Sequence, residues 1–122
     1  MRTIIAGSRD IWCYSCVRKA VELARNIKGI KITEIISGGA QGVDTLAVRY
    51  ARQNKIPYKV MKAEWKKFGK KAGYVRNAGM ASEADALIAV WNGKSKGTKH
   101  MIDIATKRKL QVFVYNMGIK ND

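Results

Sequence analysis

The sequence predicts an α/β fold, in which a doubly wound, mostly parallel five-stranded sheet carries helices on both faces. The first observation is that short apolar runs alternate along the chain with segments of helical periodicity. The second is that these runs are almost continuously apolar, as in strands covered on both faces, and alternation of this kind implies right-handed βαβ crossovers. The five predicted strands are RTIIAG (2–7), TEIISG (33–38), YKVMKA (58–63), ADALIAVW (84–91) and LQVFVYN (110–116).

Amphipathic helices are predicted between these strands. A first helix carries apolar residues at helical spacing after Trp12, and a second runs from Val43 through Ala51. A shorter helix is predicted over 72–83, and the last is predicted to pass through Met101 with Thr98 as its N-cap. The apolar stripe of the first helix consists of Cys13, Cys16, Val17, Ala20, Val21, Ala24 and Ile27.

The length and composition predict one domain, 1–122, with a single core. Hydrophobic residues make up 47% of the chain, which excludes a disordered tail. No apolar run approaches the roughly 20 residues of a membrane span, so no membrane partner is expected. The N-terminus lacks the layout of a signal peptide, and the default expectation is therefore a cytoplasmic protein of bacterial or phage origin.

The formal net charge of +15 favours polyanionic partners such as nucleotides or nucleic acid. Its other interpretation is solubility alone. The position of the lysines favours the first, because they crowd two segments that follow predicted strands. These lysines are Lys62, Lys66, Lys67, Lys70 and Lys71 in one segment, and Lys94, Lys96 and Lys99 in the other.

Glycine-containing loops follow four of the predicted strands. In doubly wound sheets a ligand binds outside the carboxyl ends of the strands, near the point where the strand order reverses. We therefore expect these four loops to converge on a ligand site. They are GSRD (7–10), SGGAQGVD (37–44), AEWKKFGKKAG (63–73) and NGKSKGT (92–98).

The loop SGGAQGVD is predicted to be an anion site, because it ends a strand and begins a helix. Unpaired N–H groups at a helix start attract anions, and glycine lets the backbone approach them closely. Asp44 lies in the first helical turn, where a carboxylate caps N–H groups or accepts from a sugar hydroxyl. The loop is neither a Walker A sequence nor a G-x-G-x-x-G fingerprint. A plain tight turn is the alternative interpretation.

The loop NGKSKGT repeats this arrangement after the fourth strand. Gly93 and Gly97 bracket its turn, and Ser95 and Thr98 offer hydroxyl groups. Together with SGGAQGVD it predicts a cleft with phosphate-binding walls on both sides. Arg9 adds a planar guanidinium suited to phosphate or to stacking on a base, although it could equally be an ordinary surface arginine.

The stretch WCYSC (12–16) has the C-x-x-C spacing of a redox motif at a helix start. The favoured interpretation is that both cysteines are free core residues on the apolar stripe of the first helix. A thioredoxin-type redox site would also need Pro57 as a cis-proline, which nothing in the sequence indicates. Two cysteines and His100 cannot close a four-ligand metal site, so no metal and no cofactor are expected.

Taken together, these motifs resemble the SLOG superfamily, a set of Rossmann-like nucleotide-ligand domains, and within it the small YspA-type, cpYpsA-related proteins. The segments that carry the resemblance span nearly the whole chain. They are GSR (7–9), SGGAQGVD (37–44), IPY (56–58), AGYVRNAGM (72–80), ADALIAVWNG (84–93) and SKGTKHMI (95–102).

The residues match two branches of that superfamily. SGGAQGVD resembles the S-G-x-A-x-G-I-D segment of the DNA-processing proteins, and Arg76-Asn77 resembles their R-N pair. Arg76 and Met80 also match the R-K-x-x-M element of the LOG phosphoribohydrolases, and Gly97-Thr98 matches the G-T of their P-G-G-x-G-T-x-x-E motif. The sequence departs from that motif in two ways: the proline is missing, and Met101 stands where those enzymes carry a catalytic glutamate.

This departure makes LOG-type hydrolysis the weaker expectation. Cleavage of an N-glycosidic bond passes through an oxocarbenium-like state that a carboxylate stabilises, and methionine cannot do this. Asp44, Glu64 and Asp10 are the carboxylates predicted near the cleft, and Asp44 and Glu64 are the candidate catalytic residues. None of the three matches the family position.

The favoured prediction is a sensor or sequestering module that binds a nucleotide or a nucleotide-derived ligand in a basic cleft. The alternatives are a LOG-type nucleotide N-glycosidic hydrolase and a single-stranded nucleic-acid binder like the DNA-processing proteins. The resemblance further implies a homodimer. The predicted ligand-binding residues are Gly7, Ser8, Arg9, Ser37, Gly38, Gly39, Ala40, Gly42, Asp44, Arg76, Asn77, Gly93, Ser95, Gly97 and Thr98.

Overall fold

The structure, a computed structural model, describes residues 1–118, so that positions 119–122 of the predicted domain lie outside the described residues. Five strands form its sheet, each close to a predicted apolar run: β1 (Arg2–Gly7), β2 (Glu34–Ser37), β3 (Tyr58–Val60), β4 (Ala86–Trp91) and β5 (Gln111–Asn116). Five α-helices connect them: α1 (Tyr14–Lys28), α2 (Val43–Gln53), α3 (Trp65–Phe68), α4 (Ala72–Glu83) and α5 (Lys96–Lys107). A 3-10 turn, Gly69–Lys71, joins α3 to α4.

The sheet has the strand order β3-β2-β1-β4-β5, and every neighbouring pair is parallel. The chain builds outward from β1 to β3 and then crosses to β4 on the other side of β1. The strand order therefore reverses between β1 and β4, which is where a doubly wound sheet opens a ligand crevice. This arrangement confirms the predicted α/β fold.

Two apolar cores cover the two faces of the sheet. Alternate residues of a strand point to opposite faces, so Ile5 packs towards α1 and α2 while its neighbour Ile4 packs towards α4 and α5. On the first face α1 and α2 contribute Val17 and Ala47 among others, and on the second face α5 contributes Met101. Both faces of β1, β2 and β4 are covered, whereas all three residues of the edge strand β3 are exposed, so the prediction of strands covered on both faces was wrong for β3.

The last helix begins three residues earlier than its predicted N-cap implies. Ser95 is the N-cap, and its Oγ accepts from the backbone N–H of Thr98 at 3.3 Å. Thr98 is itself buried in the first turn, where its hydroxyl donates to Ser95 Oγ at 3.0 Å. The prediction of Thr98 as the cap was wrong because Lys96 and Gly97 continue the helix towards the N-terminus.

The prediction of two free core cysteines was also wrong. Cys13 is the N-cap of α1 and lies before its first residue, and it forms a disulfide with Cys16. Their Cα atoms are 5.2 Å apart, which is within the range that a disulfide bridges. Both side chains are half-buried. The described chain has no cis peptide bond, so Pro57 is trans.

Residues 1–118 contain no helix with the length and apolar character needed to cross a membrane.

Candidate functional site

The loops after β1 and β2 pack backbone against backbone at the carboxyl edge of the sheet. Gly42, the N-cap of α2, has a φ of 72°. A Cβ atom at this position would lie 2.5 Å from the carbonyl oxygens of both Ser8 and Arg9. Only glycine satisfies both the backbone angle and the contact. The last glycine of SGGAQGVD therefore serves the packing of two loops.

Hydrogen bonds within the loop hold SGGAQGVD in shape. The buried Ser37 hydroxyl donates to the backbone oxygen of Asp44 at 2.9 Å and accepts from the N–H of Gly39 at 3.2 Å. The N–H of Ala40 donates to Asp44 Oδ2 at 3.1 Å. Two of the N–H groups predicted to attract an anion are thus already paired inside the loop. The Asp44 carboxylate therefore holds a loop N–H that precedes α2, and the helix start has no side-chain cap bond at its N-cap.

The Asp44 carboxylate is buried beneath this loop, with only 4% of the residue exposed. Burial raises its pKa above the ordinary value of 3.8, while the backbone N–H of Ala40 and the charges of Arg76 and Arg9 act in the opposite direction. Burial also lowers the pKa of Arg76, which the Asp44 charge raises. The two groups therefore form a partly desolvated charge system at the base of the loop.

Arg76 of α4 is fixed in place by two hydrogen bonds. Its Nη1 donates to the carbonyl oxygen of Gly38, and its Nε donates to Asn77 Oδ1 at 3.0 Å. A Cβ atom at Gly38 would lie 2.4 Å from Arg76 Nη1, so the absence of a side chain at Gly38 makes room for the guanidinium. The second loop and α4 are joined through this contact.

Asn77 connects α4 with α5. Its Nδ2 donates to the carbonyl oxygen of Gly97 at 3.2 Å and lies 3.1 Å from Nδ1 of His100. The His100 ring packs against Tyr74 with 4.4 Å between the ring centroids, and burial lowers the pKa of His100. Asn77 is buried, and its Oδ1 accepts the hydrogen bond that orients the Arg76 guanidinium.

An open cleft of about 400 Å³ lies between the second loop and the segment that follows β3. Three cationic side chains line it, together with the indole of Trp65, and the lining contains no carboxylate of the described residues. The lining residues are Arg9, Gly38, Gly39, Ala40, Gln41, Lys62, Ala63, Trp65 and Arg76.

A small inner recess of about 50 Å³ lies between the second loop and the start of α5. It shares Arg9, Ala40 and Arg76 with the cleft. In the described part of the chain, Asp44 is the one carboxylate in the wall of the recess, which Met101 also lines. Its other lining residues are Ala6, Gly7, Asn77, Met80, Ser95, Gly97 and Thr98.

Most of the predicted ligand-binding residues therefore lie together, but several face away from the open space. The hydroxyl of Ser8 is fully buried and accepts from the N–H of Asn92 at 3.0 Å, and Ser37 is equally buried. Gly93 lies beside Asn116, outside the linings of both cleft and recess. Glu64 lies outside the cleft lining, in a neighbouring groove that shares Lys62 and Arg76 with the cleft. These residues were included because chain position alone does not give side-chain direction.

Four lining residues of the cleft are absent from the predicted set: Gln41, Lys62, Ala63 and Trp65. Lys62 and Ala63 were predicted to lie within the third strand, but β3 ends at Val60, so both residues belong to the loop at the carboxyl edge together with Trp65. Because β3 neighbours β2 in the sheet, the loop after β2 faces this segment on one side. A prediction that β2 and β3 are neighbours in the sheet would have placed these residues beside the second loop.

Comparison with known proteins gives the family. The family described as YspA, cpYpsA-related SLOG matches residues 1–68. Gene 61 protein of Mycobacterium phage D29 is 35% identical over 127 residues, an alignment that covers 98% of each chain.

A solved structure resembles the whole fold. DNA processing protein A (DprA) from Streptococcus pneumoniae superposes with a TM-score of 0.68 at 19% identity. The match covers 93% of this chain and 49% of that one, so the chain spans about half the length of that structure. The likeness shows a shared Rossmann-like fold. The family match covers more than half of the chain and confirms the predicted resemblance: the chain belongs to the YspA, cpYpsA-related SLOG family.

Proposed function

We propose that the protein binds a nucleotide or a nucleotide-derived ligand in the basic cleft. The observation that carries the proposal is the lining of that cleft, where Arg9, Lys62 and Arg76 surround one opening together with an exposed indole. Membership of the SLOG family supports a nucleotide-related role. A volume of about 400 Å³ also lies within the range of roughly 300–1,000 Å³ typical of small-molecule sites.

The phosphate groups would bind the three cations. Arg76 is already oriented by its hydrogen bonds to Gly38 and Asn77, so little ordering entropy is lost when it meets an anion. Arg9 and Lys62 are exposed and supply positive charge from the two sides of the cleft. Charge-assisted hydrogen bonds of this kind contribute roughly 1.5–3 kcal/mol each.

The base would stack on Trp65. This side chain is 51% exposed although it is large and apolar, and it begins α3 at the rim of the cleft. Stacking of a base on an aromatic ring contributes roughly 1–3 kcal/mol. A ligand with phosphate on the cations and a base on the indole would use all the charged and aromatic side chains that line the cleft.

The test is isothermal titration with AMP, ADP-ribose and a cyclic dinucleotide, with Lys62→Ala and Lys28→Ala compared with the wild type. Both variants remove one exposed lysine, but Lys28 ends α1 at the opposite edge of the sheet. We expect Lys62→Ala to weaken binding roughly tenfold or more and Lys28→Ala to leave it nearly unchanged. Equal effects of the two variants, or no binding at millimolar ligand, would refute the proposal.

A second candidate, nucleotide N-glycosidic hydrolysis, is favoured by one observation. Asp44 is a carboxylate in the wall of the inner recess; burial raises its pKa, whereas the neighbouring charges of Arg76 and Arg9 favour the ionised form that hydrolysis would need. Such a group could stabilise an oxocarbenium-like state if the ribose entered the recess. The assay is release of free base from nucleoside monophosphates. Activity that disappears in Asp44→Asn with folding intact would support hydrolysis, and no release by the wild type would exclude these substrates.

Single-stranded nucleic-acid binding is the third candidate. Trp65 and Tyr74 are exposed aromatic residues that flank a lysine-rich segment, 66–71, in the chain, and aromatic and basic side chains of this kind suit stacked bases on a basic groove. Salt dependence separates this candidate from the first. Oligonucleotide affinity should fall log-linearly with salt over several contacts, whereas a mononucleotide should show a much shallower slope.

A further inference from the structure

The disulfide between Cys13 and Cys16 is a feature that the nucleotide site does not use. These are the two cysteines of the chain, and they are joined at the start of α1. Both are half-buried, so neither is sealed in the core. We propose that Cys13 and Cys16 form a reversible thiol–disulfide couple in which Cys13 is the sulfur that exchanges with the disulfide of a small thiol such as glutathione.

A purely structural bridge would achieve little at this position. The two cysteines are separated by three positions, and loop-closure models assign the smallest stabilisation to the shortest loops. The helix is also anchored without the bridge, because Val17, Ala20 and Ala24 are fully buried against the sheet. Chemical exchange is therefore a better account of the pair than reinforcement of the fold.

The surroundings of the two sulfurs differ. Cys13 is the N-cap of α1, and its Sγ accepts from the N–H of Cys16 at 3.2 Å and lies 3.3 Å from Ser15 Oγ. The first turn of α1 contains no acidic residue. After reduction, the N–H groups and positive end of the helix would stabilise a thiolate on Cys13, which is the nucleophilic form. Cys16 lies within the helix and is suited to the resolving step.

Cys13 packs partly against the first core, so a thiol would have to approach its sulfur from the exposed surface beside it. Trp12 precedes it with 56% of its surface exposed, whereas Ile11 is buried and holds the loop against the core. The start of α1, with Cys13, therefore follows a loop that is held to the core by Ile11 and is exposed at Trp12.

The exchange balances in two steps. The Cys13 thiolate attacks one sulfur of glutathione disulfide, the S–S bond breaks, and one glutathione leaves as a thiolate. The Cys16 thiol then loses its proton and attacks Cys13 sulfur in the mixed disulfide, which releases the second glutathione and forms the Cys13–Cys16 bond. The two cysteines lose two electrons and two protons, and glutathione disulfide gains them.

The experiment equilibrates the full chain in glutathione buffers of graded redox ratio, traps free thiols by alkylation and measures the mass. We expect the wild type to change from two alkylated cysteines to none in a single two-electron transition. If both cysteines stay alkylatable at the most oxidising ratio, or if the bridge persists at the most reducing one, the proposal is wrong. This measurement needs no variant and therefore does not depend on a mutant's folding.

Two matched variants test the assignment of the sulfurs. Cys16→Ser should accumulate a mixed disulfide at Cys13, at a rate about tenfold or more above that of Cys16 in Cys13→Ser. Circular dichroism checks that both variants fold. Equal rates in two folded variants, or faster reaction of Cys16, would contradict the role given to Cys13.

Discussion

Asn77→Ala should destabilise the protein by about 2–3.5 kcal/mol, because Asn77 is the buried link between the two helices behind the cleft. The side chain is 4% exposed, donates to Gly97 and accepts from Arg76. A neutral hydrogen bond contributes about 1 kcal/mol and one to a charged group roughly 1.5–3 kcal/mol. The better helix propensity of alanine returns about 0.5 kcal/mol.

Urea unfolding followed by circular dichroism measures this loss, and thermal unfolding should show a midpoint lower by roughly 10 °C. Asn26→Ala is the matched control, since Asn26 is exposed on α1 and the substitution is the same. We expect its effect to stay within about 0.5 kcal/mol. A loss below about 1 kcal/mol for Asn77→Ala, or equal losses for both variants, would refute the structural role of Asn77.

Three further perturbations test the same region. Gly42→Ala should lower the free energy of unfolding by at least about 2 kcal/mol, because the φ of Gly42 is positive and a Cβ there would meet two carbonyl oxygens. Gly97→Ala should instead raise it by about 0.5–1 kcal/mol, because Gly97 lies in a helix and a Cβ there meets no atom within 4 Å. Similar urea midpoints for the two variants would contradict this. Burial lowers the pKa of His100 below 6.5, so the free energy of unfolding should fall as the pH drops below 6.5. His100→Gln should lessen this fall. The same pH dependence in the variant and the wild type would show that His100 is not its source. Burial raises the pKa of Asp44 above 3.8, so its contribution to stability is complete below pH 3.8 and is lost as the pH rises through the pKa of the folded state. Asp44→Asn should therefore remove part of the stability that the wild type gains on acidification. Parallel curves of stability against pH for the two proteins would exclude this.

The strands and the carboxyl-edge loops could be predicted from the sequence because their signals are local. An apolar run such as ALIAVW shows a buried parallel strand directly, and the helix predicted over 72–83 begins and ends at those residues. The convergence of the loops followed from strand alternation alone. These parts needed no knowledge of which strands are neighbours.

The details of the site depend on tertiary contacts that local patterns do not contain. Ser37 and Asn77 look like ligand-binding residues in the sequence, but their polar atoms bond to the backbone and to neighbouring side chains. The cleft opens towards Trp65 because β3 lies beside β2, which the strand order decides. The state of Cys13 likewise depends on where α1 begins, and a helical stripe does not give that boundary.

In the proposed complex a nucleotide binds in the basic cleft with its base against Trp65. Intrinsic tryptophan fluorescence during titration with ADP-ribose tests this placement of the base. The variants to compare are Trp65→Phe and Trp12→Phe, because both indoles are more than half exposed and Trp12 lies outside the cleft. We predict saturable quenching in the wild type and in Trp12→Phe, and its loss in Trp65→Phe. Quenching that survives in Trp65→Phe and disappears in Trp12→Phe would show that the base does not lie against Trp65.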